Sequence, residues 1–377
     1  MRILHITAGG DTGGGKSHII GLLKALNNYV EVSLVCFLDG PVYYEALANG
    51  IDVKLVLQKK RYDLSVLKKI NQIIDQGDYD FVHSHGSRAN FMTAILKHKL
   101  DIPVITTIHS DFQLDFLGNI YKHLLYTNLN KLALRYFDYY IAISEDFRSM
   151  LLKRGFPSGR VFTVHNGIDL QEMEKQRPGM TKEEFCSAHG IICKDSDTLV
   201  GSMGRLHPVK GQEILLRAAP GVLEKYPETN FILAGEGEEK EVLQRLATGL
   251  KIRGKVHFSG YVENTADFYN AVDINVLPSK SESFPYVLLE GAWYKLPTVA
   301  TAVGGIPELI QHGYNGYLFP PGNYKQLEFL LNQLIGDREL RQKLGDSLHQ
   351  KVKENFSTQK MAHKHFEIYT QIKTMRK

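Results

Sequence analysis

Short apolar runs and helix-like stretches alternate along almost the whole chain, and this alternation leaves few architectures open. Strand-like runs lie at Ile3–Thr7, Val32–Cys36, Val53–Leu57, Phe81–His83, Val104–Ile108, Tyr139–Ile143 and Val161–Val164. The pattern starts afresh at Thr198–Met203 and continues through Asn230–Ala234, Lys255–Phe258, Asp273–Leu277, Thr298–Ala300 and Gly316–Phe319. Helical patterns separate the runs, which is the arrangement of parallel sheets built from βαβ units. Between the two series the chain is polar and charged and carries Pro178-Gly179, a domain junction by composition. The segment from Asn323 to Lys377 reads as helix alone. A chain of 377 residues also exceeds what one hydrophobic core usually serves. The expectation is an α/β protein of two doubly wound, Rossmann-like domains, 1–170 and 171–355, with a final helix at 356–377 packing back on the first. The carboxyl ends of the two sheets would face a central cleft, the usual place for a ligand in such folds.

Composition narrows the partners. A net charge of +4 does not favour nucleic-acid binding. Hydrophobic residues make up 43% of the chain, enough for sizeable cores, yet no run approaches membrane-spanning length. Met1-Arg2 leads straight into a strand-like run too short for a signal-peptide core, so a cytoplasmic location is expected. Cys36, Cys186 and Cys193 are odd in number and lack metal-ligand spacing, which suits reduced thiols.

The chemistry concentrates in the second half. In Ser281-Glu282-Ser283-Phe284-Pro285-Tyr286-Val287-Leu288-Leu289-Glu290, two carboxylates bracket a mostly apolar segment. Pro285 suits the first turn of a helix, and Tyr286, Leu289, Glu290 and Trp293 then share one face. A carboxylate among apolar groups must find a partner. Glu282 stands just before a helix N-terminus, whose free amides suit anions. A plainer account is a capping Glu and a structurally paired one. Gly204-Arg205-Leu206 and Lys210-Gly211 follow the first strand of the second series. Arg205 and Lys210 there suit a diphosphate, or are two solvated basic residues in an ordinary loop. Gly235-Glu236-Gly237, Gly260-Tyr261-Val262 and Gly304-Gly305-Ile306-Pro307-Glu308 end successive strands in the same way.

Taken together these motifs resemble the retaining nucleotide-sugar glycosyltransferases of GT-B type, the glycogen-synthase-like group 1, or family 4, enzymes. Gly13-Gly14-Gly15-Lys16-Ser17-His18 and Asn166-Gly167-Ile168-Asp169 are similar to that family too, so the resemblance spans nearly the whole chain. It implies that Arg205 and Lys210 hold the donor diphosphate, that Glu290 bonds the ribose hydroxyls and that Glu282 faces the transferred sugar. Gly204 would allow close backbone approach. The amides of Ser283, Phe284 and Tyr286 would cradle sugar and phosphate around Pro285, and Tyr261-Val262 would lie by the base. In the first domain Gly14 and Gly15 would admit the diphosphate and His109 would reach the sugar. Two departures stand out: Ser283 where many members have Gly, and Ser110 where many carry Asp, with Asp111 one place later. The resemblance implies a metal-independent, retaining hexosyltransferase-type enzyme. Its donor would be a nucleoside-diphosphate-sugar, UDP favoured, and no cofactor would be needed. The acceptor would be a glycan or lipid-linked molecule in surface polysaccharide, glycolipid or related glycan synthesis.

Other readings compete. Gly10-Asp11-Thr12-Gly13-Gly14-Gly15-Lys16-Ser17 matches the P-loop pattern, which would make the chain an NTPase. It lacks a convincing acidic residue closing an apolar strand to help hold magnesium. A non-catalytic nucleotide-sugar-binding protein is a third class. His83 and His85 should share a strand face, yet no third metal ligand has suitable spacing, so no catalytic metal is expected and His83 reads as a satisfied structural residue. Lys122, His123, Lys131 and Arg135, among apolar residues of 112–136, suit a helix packed on the first sheet. The alternative is peripheral contact with anionic lipid at the inner face of the cell membrane.

Overall fold

The computed structural model describes all residues except 61–62, 112–129, 193, 195–196 and 377. The chain divides into two units, Met1–Gly167 with Thr358–Lys377, and Ile168–Ser357.

The first unit holds a seven-stranded sheet in the order β3-β2-β1-β4-β5-β6-β7. Its strands are β1 (Arg2–Thr7), β2 (Glu31–Cys36), β3 (Asp52–Leu55), β4 (Phe81–His85), β5 (Val104–Ile108), β6 (Tyr139–Ala142) and β7 (Val161–Thr163), and every pairing is parallel. All five residues of β4 and of β5 are buried, because helices cover both faces of the central strands. The edge strand β3 is by contrast largely exposed. Alternation sorts the side chains. Leu4, Ile6 and Val82 enter one core with Val66, Ile70 and Phe147, while Ile3, Phe81 and Ile105 enter the other with Leu22, Leu23, Tyr369 and Ile372. That second face lies under the helices Gly14–Leu26 and Thr358–Met375. The strand order reverses between β1 and β4, the switch point where such sheets take ligands.

The second unit holds a six-stranded parallel sheet in the order β10-β9-β8-β11-β12-β13. Its strands are β8 (Leu199–Met203), β9 (Asn230–Ala234), β10 (Val256–Gly260), β11 (Ile274–Leu277), β12 (Thr298–Thr301) and β13 (Tyr317–Phe319). The same alternation sends Val200, Phe231 and Leu233 into one core and Leu199, Ile232 and Ala234 into the other. Each run marked in the sequence as a strand forms one, with ends shifted by a residue or two where helix or turn takes over.

Cys36 is free and buried, but Cys186 is disulfide-bonded, which corrects the expectation of three reduced thiols. Cysteine spacing tests for metal motifs and is blind to thiols that the fold brings together. No helix among the described residues is long and apolar enough to cross a membrane. The expected lipid-facing helix lies mostly outside the described residues.

Ile368 is 2% exposed on the helix that closes the first unit. Ile368→Ala should cost that unit about 2–5 kcal/mol, measured as a lower urea midpoint.

Candidate active site

In the second unit the loops after β8, β9, β11 and β12 touch backbone to backbone. Gly204 N–H donates to Ala234 O and Leu206 N–H to Glu236 O, both at 2.9 Å, joining the β8 loop to the end of β9 and its loop. Lys280 N–H donates to Val209 O (2.7 Å) and Gly305 N–H to Ser283 O (2.8 Å), joining the β11 loop to its neighbours on either side. Such closeness needs missing side chains. Gly304 sits at φ +53°, and a Cβ there would collide with the Glu282 carbonyl oxygen. Gly211, at φ +63°, likewise abuts the Pro278 carbonyl.

This stitched rim presents the charged groups. Glu282 is 9% exposed, and its Oε1 accepts from Lys210 Nζ (2.6 Å) and from Ser279 Oγ (2.6 Å). A buried carboxylate is thereby satisfied, and it fixes the lysine in place. Arg205 is exposed beside them, and among the described residues its guanidinium makes no ion pair. The helix Tyr286–Trp293 follows Pro285 with no side-chain cap. On its first turns Tyr286 and Leu289 are buried. Glu290 Oε2 accepts a 2.9 Å hydrogen bond from Tyr269 OH. Burial pushes the Glu290 carboxyl upward, and the tyrosine bond opposes that shift. At the end of β10, Tyr261 exposes 74% of its surface while Val262 packs on the core beneath. The second unit thus carries exposed Arg205, the Glu282–Lys210 pair, a buried Glu290 held by Tyr269 and an open aromatic ring at Tyr261.

In the first unit a cavity of about 600 Å³ opens at the carboxyl ends of β1, β4 and β5, lined by Gly10, Asp11, Gly15, His85, Arg88 and His109 among others. Asp11 Oδ1 accepts from Gly13 N–H (2.8 Å) and shapes the turn before the helix Gly14–Leu26, which has no side-chain cap. Lys16 is drawn away to Glu45 (2.5 Å). A P-loop lysine reaches phosphate, whereas Lys16 here pairs with a carboxylate. Beneath the cavity lies a face of histidines. The register sets His5 beside His83, and Thr7 beside His85, so these strand residues point the same way. His18 and His365 come down from the two covering helices. His5 Nδ1 and His85 Nε2 are 2.9 Å apart, and His85 Nδ1 and His109 Nε2 are 3.4 Å apart. Burial drives all six below the ordinary histidine value, His18 to about 4 and His365 to about 3.

The sequence patterns of two families match the chain, "Glycosyltransferase Family 4" over residues 12–172 and "Glycosyl transferases group 1" over residues 191–350. The chain belongs to the group 1 glycosyltransferases. An uncharacterised glycosyltransferase of Methanocaldococcus jannaschii is 27% identical, covering 95% of this chain and 94% of its own. N-acetyl-α-D-glucosaminyl L-malate synthase of Bacillus anthracis is 27% identical over 87% of this chain and 83% of its own. Anabaena HepE, solved in complex with UDP-glucose, superposes with a TM-score of 0.82 at 23% identity, covering 98% of this chain and all of HepE. The fold of this glycosyltransferase is therefore GT-B.

Within the glycosyltransferase's second unit, Gly204, Arg205, Lys210, Glu282 and Ser283–Tyr286 lie on the stitched loops, with Glu290 one turn into the helix. Phe284 is buried, its ring 5.2 Å from that of Phe356, so any part it plays at the rim falls to its backbone. Gly14, Gly15 and His109 belong to the first unit, where Gly15 and His109 line the cavity. Asp111 is clamped bidentately by Arg154 at 2.8 Å, a structural pair. His83 is satisfied by Tyr369 OH (2.5 Å) and Thr107 Oγ1 (2.8 Å). The absence of a third histidine beside it needs correction, since His5, His83 and His85 form one close group and His18, His85 and His109 another. Spacing along β4 could not reveal residues supplied by β1, by the first helix and by the loop after β5. Tyr269, which holds Glu290, has no signal in the sequence reading. Tyr269 lies 21 residues from Glu290 with no pattern linking them.

Gly304→Ala combines positive φ with a backbone collision and should destabilise the second unit by about 1–3 kcal/mol, seen as a lower melting temperature. The buried histidines give a pH signature. The unfolded chain gains histidine protons near about 6.5, whereas His18 in the fold does so only at about 4. The unfolded state thus binds more protons in this window, and stability present above about pH 6.5 falls as pH drops toward 4, by up to about 1.4 kcal/mol per pH unit for each histidine. Denaturant midpoints between about pH 5 and 7.5 should follow this sign, with a flatter slope in His365→Leu.

Proposed function

We propose that this glycosyltransferase moves a sugar from a nucleoside diphosphate, UDP in preference, to an acceptor hydroxyl with retention of anomeric configuration. The observation that carries the reading is the Glu282–Lys210 pair set beside exposed Arg205 on one stitched rim. Arg205, Lys210 and the uncapped amides at Tyr286 stabilise the diphosphate as it departs. Glu290, steadied by Tyr269, binds the ribose hydroxyls, and Tyr261-Val262 lies by the base. Glu282 faces the sugar. A leaving phosphate oxygen takes the acceptor's proton as the hydroxyl attacks the same face. Transfer needs no metal, because two side-chain cations and helix dipoles supply the positive charge.

The HepE complex with UDP-glucose supports the donor class. An O-antigen biosynthesis glycosyltransferase of Escherichia coli, 24% identical over 99% of both chains, supports a glycan or lipid-linked acceptor in surface polysaccharide synthesis. Such an enzyme works in the cytoplasm, with peripheral contact at the inner membrane face if the acceptor is lipid-linked.

Arg205→Ala and Lys210→Ala should each cut turnover about 10²–10³-fold, with the melting temperature of Arg205→Ala near that of the wild type. A nucleotide sugar at a hundredfold its Kd should stabilise the chain by about 2.7 kcal/mol, undiminished by EDTA. Near-normal turnover in both variants would overturn the mechanism, and stabilisation only by ATP with magnesium would overturn the donor class.

A further inference from the structure

The histidine face contains more than packing requires. Imidazole nitrogens buried without partners are costly, yet among the described residues His18 Nε2 is buried and makes no hydrogen bond. His18 itself is 1% exposed, and its Nδ1 lies 2.9 Å from Asn166 Oδ1. An amide oxygen can only accept, so Nδ1 carries the proton and the lone pair is on Nε2. One ring nitrogen each from His18, His85 and His109 falls within 4.8 Å of the others. The 3.4 Å between His85 Nδ1 and His109 Nε2 matches the edge of a tetrahedron of nitrogens about 2.0–2.1 Å from zinc, roughly 3.4 Å. His18 and His109 approach edge to face, with ring centroids 4.5 Å apart.

We propose that His18 Nε2, His85 Nδ1 and His109 Nε2 form a binding site for a transition-metal dication of the zinc type, with the fourth position open to the cavity. The outer partners suit that role. Asn166 orients His18, and His85 Nε2 lies 2.9 Å from His5 Nδ1, so two of the three rings are held by the nitrogen that does not face the metal. His85 and His109 also line the cavity, which gives an ion its entry path and leaves room for a water ligand. The neighbouring group of His5, His83 and His85 is a weaker candidate. Both nitrogens of His83 are already engaged, and His5 and His83 are fully buried and do not line the cavity. Three imidazoles select zinc, cobalt, nickel or copper over the oxygen-seeking magnesium and calcium.

The test uses the full chain, stripped with chelator and dialysed against zinc, then freed of loose ion by gel filtration. The expected result is one zinc retained per chain, none with magnesium or calcium, and with cobalt the intense visible bands of a four-coordinate site. His18→Ala should abolish retention, and Asn166→Ala should weaken zinc binding about 10–100-fold through the outer partner alone. His363→Ala, at an exposed ion pair with Glu367, should change nothing. Failure of the wild type to retain zinc would overturn the site, as would zinc or cobalt binding that is unchanged in both His18→Ala and Asn166→Ala. Because Asn166→Ala leaves all three ligands in place, its affinity and cobalt spectrum decide the matter even if His18→Ala folds poorly.

Discussion

The arrangement of the second unit depends on how closely four loops can approach at the carboxyl ends of parallel strands. Parallel pairing aims every strand of a sheet the same way, so the loops after β8, β9, β11 and β12 emerge side by side. Backbone hydrogen bonds then tie them together, and glycine is required wherever one loop's carbonyl occupies the space of another's Cβ. A rim built this way is rigid for reasons of hydrogen bonding and exclusion, independent of its charged side chains. The charges can then be placed for chemistry. Glu282 uses a single oxygen to hold both Lys210 and Ser279, and Arg205 remains exposed beside them.

The first unit uses the same topology for a different purpose. Its cavity lies at the switch point between β1 and β4, with six histidines packed below or beside it. Two are capped by ordinary partners, His83 by Tyr369 and Thr107 and His365 by the Met361 carbonyl. The others form a chain leading from β1 to the cavity mouth. Low dielectric keeps these rings neutral, so they can act as donors, acceptors or ligands but not as a store of positive charge. The second unit instead presents two side-chain cations on its rim, Arg205 and Lys210.

Much of this was legible in the chain. Strand runs bounded by glycine and separated by helical patterns marked every strand, because burial on both faces demands continuous apolar runs. Gly204-Arg205, Lys210-Gly211, Glu282, Glu290 and Gly304-Gly305 stood at strand ends in order, so their clustering on one rim followed from topology. The partners of these residues were not legible. Tyr269 reaches Glu290 from a different helix, and Ser279 reaches Glu282 across a turn whose path depends on Gly304.

The sequence by itself determined the class of fold, the two series of strands and the rim on which the charged motifs gather, since each follows from periodicity and order along the chain. Only the tertiary structure decided which groups meet. Strand register put His5 beside His83, the first helix lowered His18 toward His109, and Asn166 came from 148 residues away to orient His18. Contacts of that kind depend on how separate elements pack in three dimensions, and no spacing within a single element records them.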